Sequence, residues 1–304
     1  KNSRLNTIFP MISSLTIYPI NFFVLITGIP GMKFEIRATY IGNLIAHVIY
    51  DWTFSVIVRV YQFPPYGLFY CEGLLSKLGL NKRLIMGILA CVTTTSISAF
   101  FILMMQLHQL TVLDASSRWK LSGPIQAVIY ALLTAFMMTN VAGFVVYGAD
   151  VEKYEELVKD FDLAWLAQRG GTLLLFGEPG VASPFKMECC FLLVSFAIFF
   201  PFLMLYVAHA LLYLKSRKNH IVSTKTQLLI QRLFDTFITQ LVGAIIFFII
   251  PLCFVLISSV YDLSGVLHPP LFAALRFITT VLLALDPAQF SLAFFLRSPT
   301  HRQM

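Results

Sequence analysis

Four charged residues stand inside long apolar stretches of this 304-residue chain: Asp51, Arg59, Arg276 and Asp286. A charge in such a stretch is costly unless it faces a polar interior or water, so each marks a place the fold must serve. Asp51 follows His47 by four positions, which puts both on one helix face. If the helices carrying Asp51 and Arg276 are neighbours, the two are expected to form an ion pair. Otherwise Arg276 extends to the membrane surface, and Asp51 is served by water, by His47 or by the run Thr93–Thr95. Asp286 precedes Pro287, with Phe290 three residues on. Proline lacks an N–H and leaves the carbonyl four residues back without its partner. A carboxyl beside that break is expected to hold water and let the helix bend. Pro201 and Pro251 mark two further breaks, so Asp286, Pro287, Phe290, Pro201 and Pro251 are read together as a conformational switch.

Catalytic patterns are missing from the sequence. It has no H-E-x-x-H, G-x-S-x-G or P-loop, and neither Asp51 nor Asp286 has the context of an intramembrane protease. His47, His108 and His209 have no third ligand at metal-binding spacing, so they are read as hydrogen-bonded packing residues. No enzyme activity, cofactor or metal is expected.

Helices must position these residues. The chain is 58% hydrophobic and 12% charged, about half the charged share of a soluble domain. Its 29 Phe, 12 Tyr and 3 Trp exclude disorder. A bilayer core of about 30 Å takes about 20 helical residues. Seven stretches reach that length: 9–30, 38–60, 84–110, 124–147, 189–214, 236–258 and 271–296. Only the four residues above are charged within them. The expectation is an all-α, seven-transmembrane bundle forming one domain, with the first span directing insertion. Halves that match in neither span length nor proline position weaken a transporter built from repeats.

The net charge of +7 comes from basic residues in short connections, so it reads as membrane topology and not as a nucleic-acid partner. The densest basic cluster, Lys215, Arg217 and Lys218, belongs on the cytoplasmic side and places the N-terminus outside. Cys71 and either Cys189 or Cys190 then flank spans on the outer side, which leaves one extracellular bridge open to them. The long connection 148–188 contains an amphipathic pattern after Asp150, with apolar residues at helical spacing from Tyr154 to Phe161. It is expected to form an extracellular helix over the bundle mouth or the lipid interface.

Several segments resemble one family. The loop from Gln62 to Gly79, with Pro64-Pro65 and its Gly73-Leu-Leu, resembles the Pro-rich loop before helix 3 of nematode serpentine chemoreceptors, notably the class H and class I branches of the Str superfamily. Ile49-Tyr-Asp51, Leu107-His108-Gln109, Gln240 through Pro251 and Asp286-Pro287 are similar to segments of their helices 2, 3, 6 and 7. The chain departs from many rhodopsin-like receptors in having no arginine beside His108. Its tail has Ser298-Pro-Thr-His301-Arg302 where relatives carry Pro-Tyr-Arg. The resemblance implies a rhodopsin-like architecture and a G-protein-coupled chemosensory receptor for a small odorant or pheromone-like ligand. It implies a plasma-membrane location, in a sensory-neuron cilium. A heterotrimeric G protein would meet His108, Gln109, Lys215, Arg217 and Lys218. Arg59, Arg276 and Asp51 would contact the ligand, and Arg59 and Arg276 near the outer mouth would favour an anionic or carbonyl-bearing one. The alternatives are a small secondary transporter and a channel subunit with its N-terminus inside; an external N-terminal epitope would exclude the channel.

Overall fold

Lipid offers the backbone no hydrogen-bond partner, so apolar runs of this length satisfy themselves as helices. The computed structural model describes residues 12, 15–27, 34–62, 68–112, 117–147, 170–175, 183–216, 235, 238–261, 263 and 266–297. Seven long helices lie among them: α1 Ile17–Thr27, α2 Phe34–Trp52, α3 Lys82–Thr111, α4 Gly123–Tyr147, α5 Pro184–Ser216, α6 Ile238–Val260 and α7 Pro269–Arg297. Neighbours in sequence pack side by side, α7 closes the ring on α1 and α2, and α3 also touches α5. Five of the helices, α3 to α7, have the length and apolarity to cross a membrane unaided. Helix α2 carries Glu35, Arg37 and Asp51 and depends on its neighbours to be buried.

The outer surface of the bundle is apolar: Phe23, Leu132, Ile198, Leu212 and Phe277 are exposed. The interior is mixed, with Asn21, Asn43, His47, Asp51, Asn140, Gln240, Asp286 and Ser291 all buried. That inversion is what a hydrocarbon solvent selects, since it rewards no apolar burial but penalises exposed polar groups.

Helix limits move for local reasons. Helix α3 begins at Lys82 because the Asn81 side chain caps it, accepting from the Arg83 N–H at 2.9 Å. Helix α5 begins at Pro184, five residues before the apolar run, since proline suits a first turn and the run's charged lead-in, Lys186 and Glu188, stays helical. The expected second span ends early. Helix α2 passes into a π-helical turn, Thr53–Ile57, closed by the Val58 N–H on the Thr53 carbonyl at 2.8 Å. Arg59 then takes a left-handed φ of 50°, and the chain turns into a strand.

That strand belongs to a sheet that the all-α expectation did not contain. β1 (Val60–Gln62), β2 (Leu68–Cys71) and β3 (Thr172–Leu175) form an antiparallel sheet in the order β1-β2-β3. Tyr61 pairs with Tyr70, and Tyr70 with Leu173. A one-turn helix, Leu74–Lys77, follows β2. The Ser76 hydroxyl donates to the Cys71 carbonyl at 2.7 Å and accepts from the Thr172 N–H at 3.0 Å, which ties that turn to β3. The sheet caps one end of the bundle, here called the sheet end. The amphipathic segment 150–161 lies outside the described residues.

A second π-helical turn, Ile245–Ile249, interrupts α6 just before Pro251. Pro251 has no N–H to give the Phe247 carbonyl, and the helix slips register there, with the Ile250 N–H reaching back to Ile245.

Candidate functional site: two chambers and a crevice

Two chambers follow each other along the bundle axis. The one nearer the sheet is partly open and draws its wall from α2 to α7 as well as from β1 and β2. Met86, Ala90, Met137, Phe144, Phe185, Leu252 and Leu256 make it apolar, while Thr93, Thr94, Asn140 and Ser259 are its polar points. The second chamber, smaller and also partly open, lies deeper, among Ser96 to Phe101 of α3, Phe196 to Leu203 of α5 and the π-turn of α6. His47 and Asp286 line it. Tyr50 and Ile97 belong to both walls and so stand between the chambers. The Tyr50 ring stacks on Phe54 at 4.5 Å and meets Phe248, inside the α6 π-turn, edge-on at 6.0 Å.

A crevice of about 690 Å³ opens between α2 and α7, lined by Asp51, Ser55, Arg59, Tyr61 and Thr280 among others. It brings Asp51 and Arg59 together, but Arg276 lines none of the three spaces. The expected Asp51–Arg276 pair is not formed. Asp51 instead accepts from the Tyr18 hydroxyl at 3.0 Å and from Ser55 at 3.4 Å, because α1 packs against α2 and supplies the donor. His47 does not reach Asp51 either. Its Nδ1 lies 2.9 Å from the Asn43 carbonyl, four residues back, and its ring stacks on Phe290 at 4.4 Å.

The switch residues fall in different settings. Pro251 is buried directly after the π-turn, Pro201 lies in the interior of α5 with an exposed ring, and α7 continues helical through position 287. Phe290 packs on His47 and, edge-on, on Phe100 at 6.5 Å.

At the end away from the sheet, His108 and Gln109 are buried in this state of the bundle. The His108 Nε2 shares a hydrogen bond with His209 Nδ1 of α5 at 3.0 Å. The Gln109 amide donates to the Trp119 carbonyl at 2.9 Å and accepts from the Leu121 N–H at 2.9 Å. The Trp119 ring stacks on His209 at 4.4 Å. The result is a latch joining α3, the connection to α4, and α5. Lys215 falls in the last turn of α5, and Arg217 and Lys218 lie outside the described residues.

The five cysteines, all described, are free thiols, so the bridge left open to Cys71 is absent. Cys71 and Cys189 are separately buried in the sheet-end core, and Cys190 points outward. Burial pushes the Cys71 thiol up to about 12, which keeps it protonated and unreactive.

A family model described as serpentine type 7TM GPCR chemoreceptor Srh matches residues 11–267, most of the chain. The chain belongs to this family. No curated protein matches it. As an Srh-family protein it is a multi-pass membrane chemoreceptor of the seven-transmembrane class. The match ends just before α7, so what is said of Asp286 and Phe290 rests on geometry alone.

Sequence reasoning missed the sheet-end chamber. Its wall is made of ordinary apolar residues from six helices, and only packing assembles them. Thr93, Thr94 and Asn140 are its polar residues within apolar runs.

Proposed function

We propose that this Srh-family receptor detects a small, mostly apolar odorant or pheromone-like molecule in the sheet-end chamber and passes the signal to a heterotrimeric G protein at the opposite end. The N-terminus and the sheet would then lie outside the cell, at the plasma membrane of a sensory cilium. The observation that carries this reading is the wall itself. A molecule of the size the chamber admits touches six of the seven helices and can prefer one packing of them over another. The α6 π-turn and Pro251 give that helix a break at which the two packings can differ. Arg59 borders the neighbouring crevice and contributes to ligand choice from there.

The test is a reporter assay in cells that express the full chain with a promiscuous G protein, screened against small volatiles. Ala90, buried in the chamber wall, is replaced by Phe to fill the space. Ala90→Phe at normal surface level should abolish the response. Leu256→Ala, which enlarges the chamber, should shift preference toward larger ligands. Unchanged responses in both variants would end the chamber reading.

A further inference from the structure

The deep chamber has a carboxyl group to which no described residue is seen to donate. Asp286 is 5% exposed and forms part of the wall, yet it has no hydrogen-bond partner among the described residues. Asp51, by contrast, accepts from Tyr18 and Ser55 and lines the crevice. A buried carboxylate without donors is a costly arrangement that something else must serve. No Lys or Arg lines the chamber.

Beside the Tyr50 hydroxyl, which can donate or accept, the other polar groups on the wall are acceptors as well. His47 faces a carbonyl, which cannot donate, so its Nδ1 carries the proton and its Nε2 keeps a lone pair. Ser96 spends its hydroxyl proton on the Ala46 carbonyl at 3.2 Å, leaving its oxygen to accept. Around these groups stand the rings of Tyr50, Phe100, Phe101, Phe196, Phe200 and Phe248. Aromatic faces surrounding one carboxylate attract a positive charge through the ring quadrupoles and the anion together.

We propose that the deep chamber binds an organic cation, the protonated amine of a small alkyl or aralkyl amine, with Asp286 as its counter-ion. The inference rests on the chemoreceptor reading and gives the ligand its class: an apolar body with an ammonium end, reached past Tyr50 and Ile97. It reverses the sign that Arg59 and Arg276 suggested. The ammonium supplies the donors that Asp286, His47 and Ser96 lack, and the six rings exclude water around it. An inorganic cation would use the carboxylate but gain less from the rings.

The test uses the purified full chain in lipid nanodiscs at pH 7.4, without a G protein, and reads thermal unfolding. The probes are 2-phenylethylamine, cyclohexylamine and isoamylamine, each against the alcohol of the same shape, in a sodium-free potassium phosphate buffer with sodium chloride titrated separately. At least one amine should raise Tm at a concentration tenfold or more below its alcohol. Asp286→Asn should remove that advantage and leave the alcohol unchanged, and Asp286→Glu should restore part of it. Phe248→Leu, which keeps every charge, should shrink it. Equal potency of amine and alcohol in all three pairs would overturn the proposal without reference to any variant's folding. An amine advantage that survives Asp286→Asn would do the same, as would a sodium effect that matches the amine's and competes with it. Volatile responses in cells without an amine advantage would sink this inference alone; an amine advantage without signalling would sink only the receptor reading.

Discussion

Asp51 and Asp286 both carry carboxyl groups buried among helices, and they differ in that two hydroxyls, of Tyr18 and Ser55, donate to Asp51. Tyr18 of α1 donates to Asp51 at 3.0 Å, and no described residue does so for Asp286. A buried hydrogen bond to a charged group contributes about 1.5–3 kcal/mol. Tyr18→Phe keeps the ring and removes the donor. It is expected to lower stability by about that amount, read as a fall in Tm in nanodiscs, and in an Asp51→Ala background, which has no acceptor, Tyr18→Phe should be nearly neutral. Additive losses would show that Tyr18 and Asp51 act independently. Which carboxylate has a partner was not legible in the sequence, because Tyr18 lies 33 residues from Asp51 on another helix. That both are buried was legible, since a charge inside an apolar run has few other places to go.

At the scale of elements, long apolar runs made the helices readable, while short polar-tolerant segments hid the sheet. β1 has three residues and β2 and β3 four each, too few for an alternating pattern to stand out. Both π-turns were equally silent. The one in α6 has a cause in Pro251, but the turn Thr53–Ile57 carries no proline, and its reason is tertiary. It delivers the chain to Arg59 and to a close crossing at Gly73, whose N–H donates to the Val58 carbonyl at 2.9 Å. A Cβ at Gly73 would collide with the backbone of Ile57 and Val58, which cannot turn aside as a side chain would. Gly73→Ala should therefore cost about 1–3 kcal/mol and reduce the fraction of folded receptor at the surface. Gly42→Ala is the control. Open space surrounds that position in α2, so the change should be neutral or stabilise by about 0.5–1 kcal/mol. Equal behaviour of the two variants would remove the crossing as a constraint.

Across the whole molecule, the sheet-end chamber and the latch occupy opposite ends, and α3 and α5 run through both. In the latch, the His108–His209 bond and the Trp119 stack hold α5 against α3. If signalling needs the helix ends to part, this contact opposes it. His209→Phe keeps a ring for Trp119 to stack on and deletes the hydrogen bond. It is expected to raise ligand-independent reporter output several-fold at equal surface expression, whereas an unchanged baseline would mean that the latch does not hold the resting state. The helices that carry the latch were legible from apolar length; their pairing was not, since His108 and His209 are 101 residues apart.

Tyr50 stands at the neck between the two chambers and leans on the hinge of α6. A molecule seated below that ring and leaving toward the sheet must pass it, so its departure by that route depends on side-chain and helix motion as well as on how well it fits. Two odorants of equal affinity would then part company in time: one held above the neck lets the cell recover at once, and one held beneath it leaves a lingering response after the stimulus is gone.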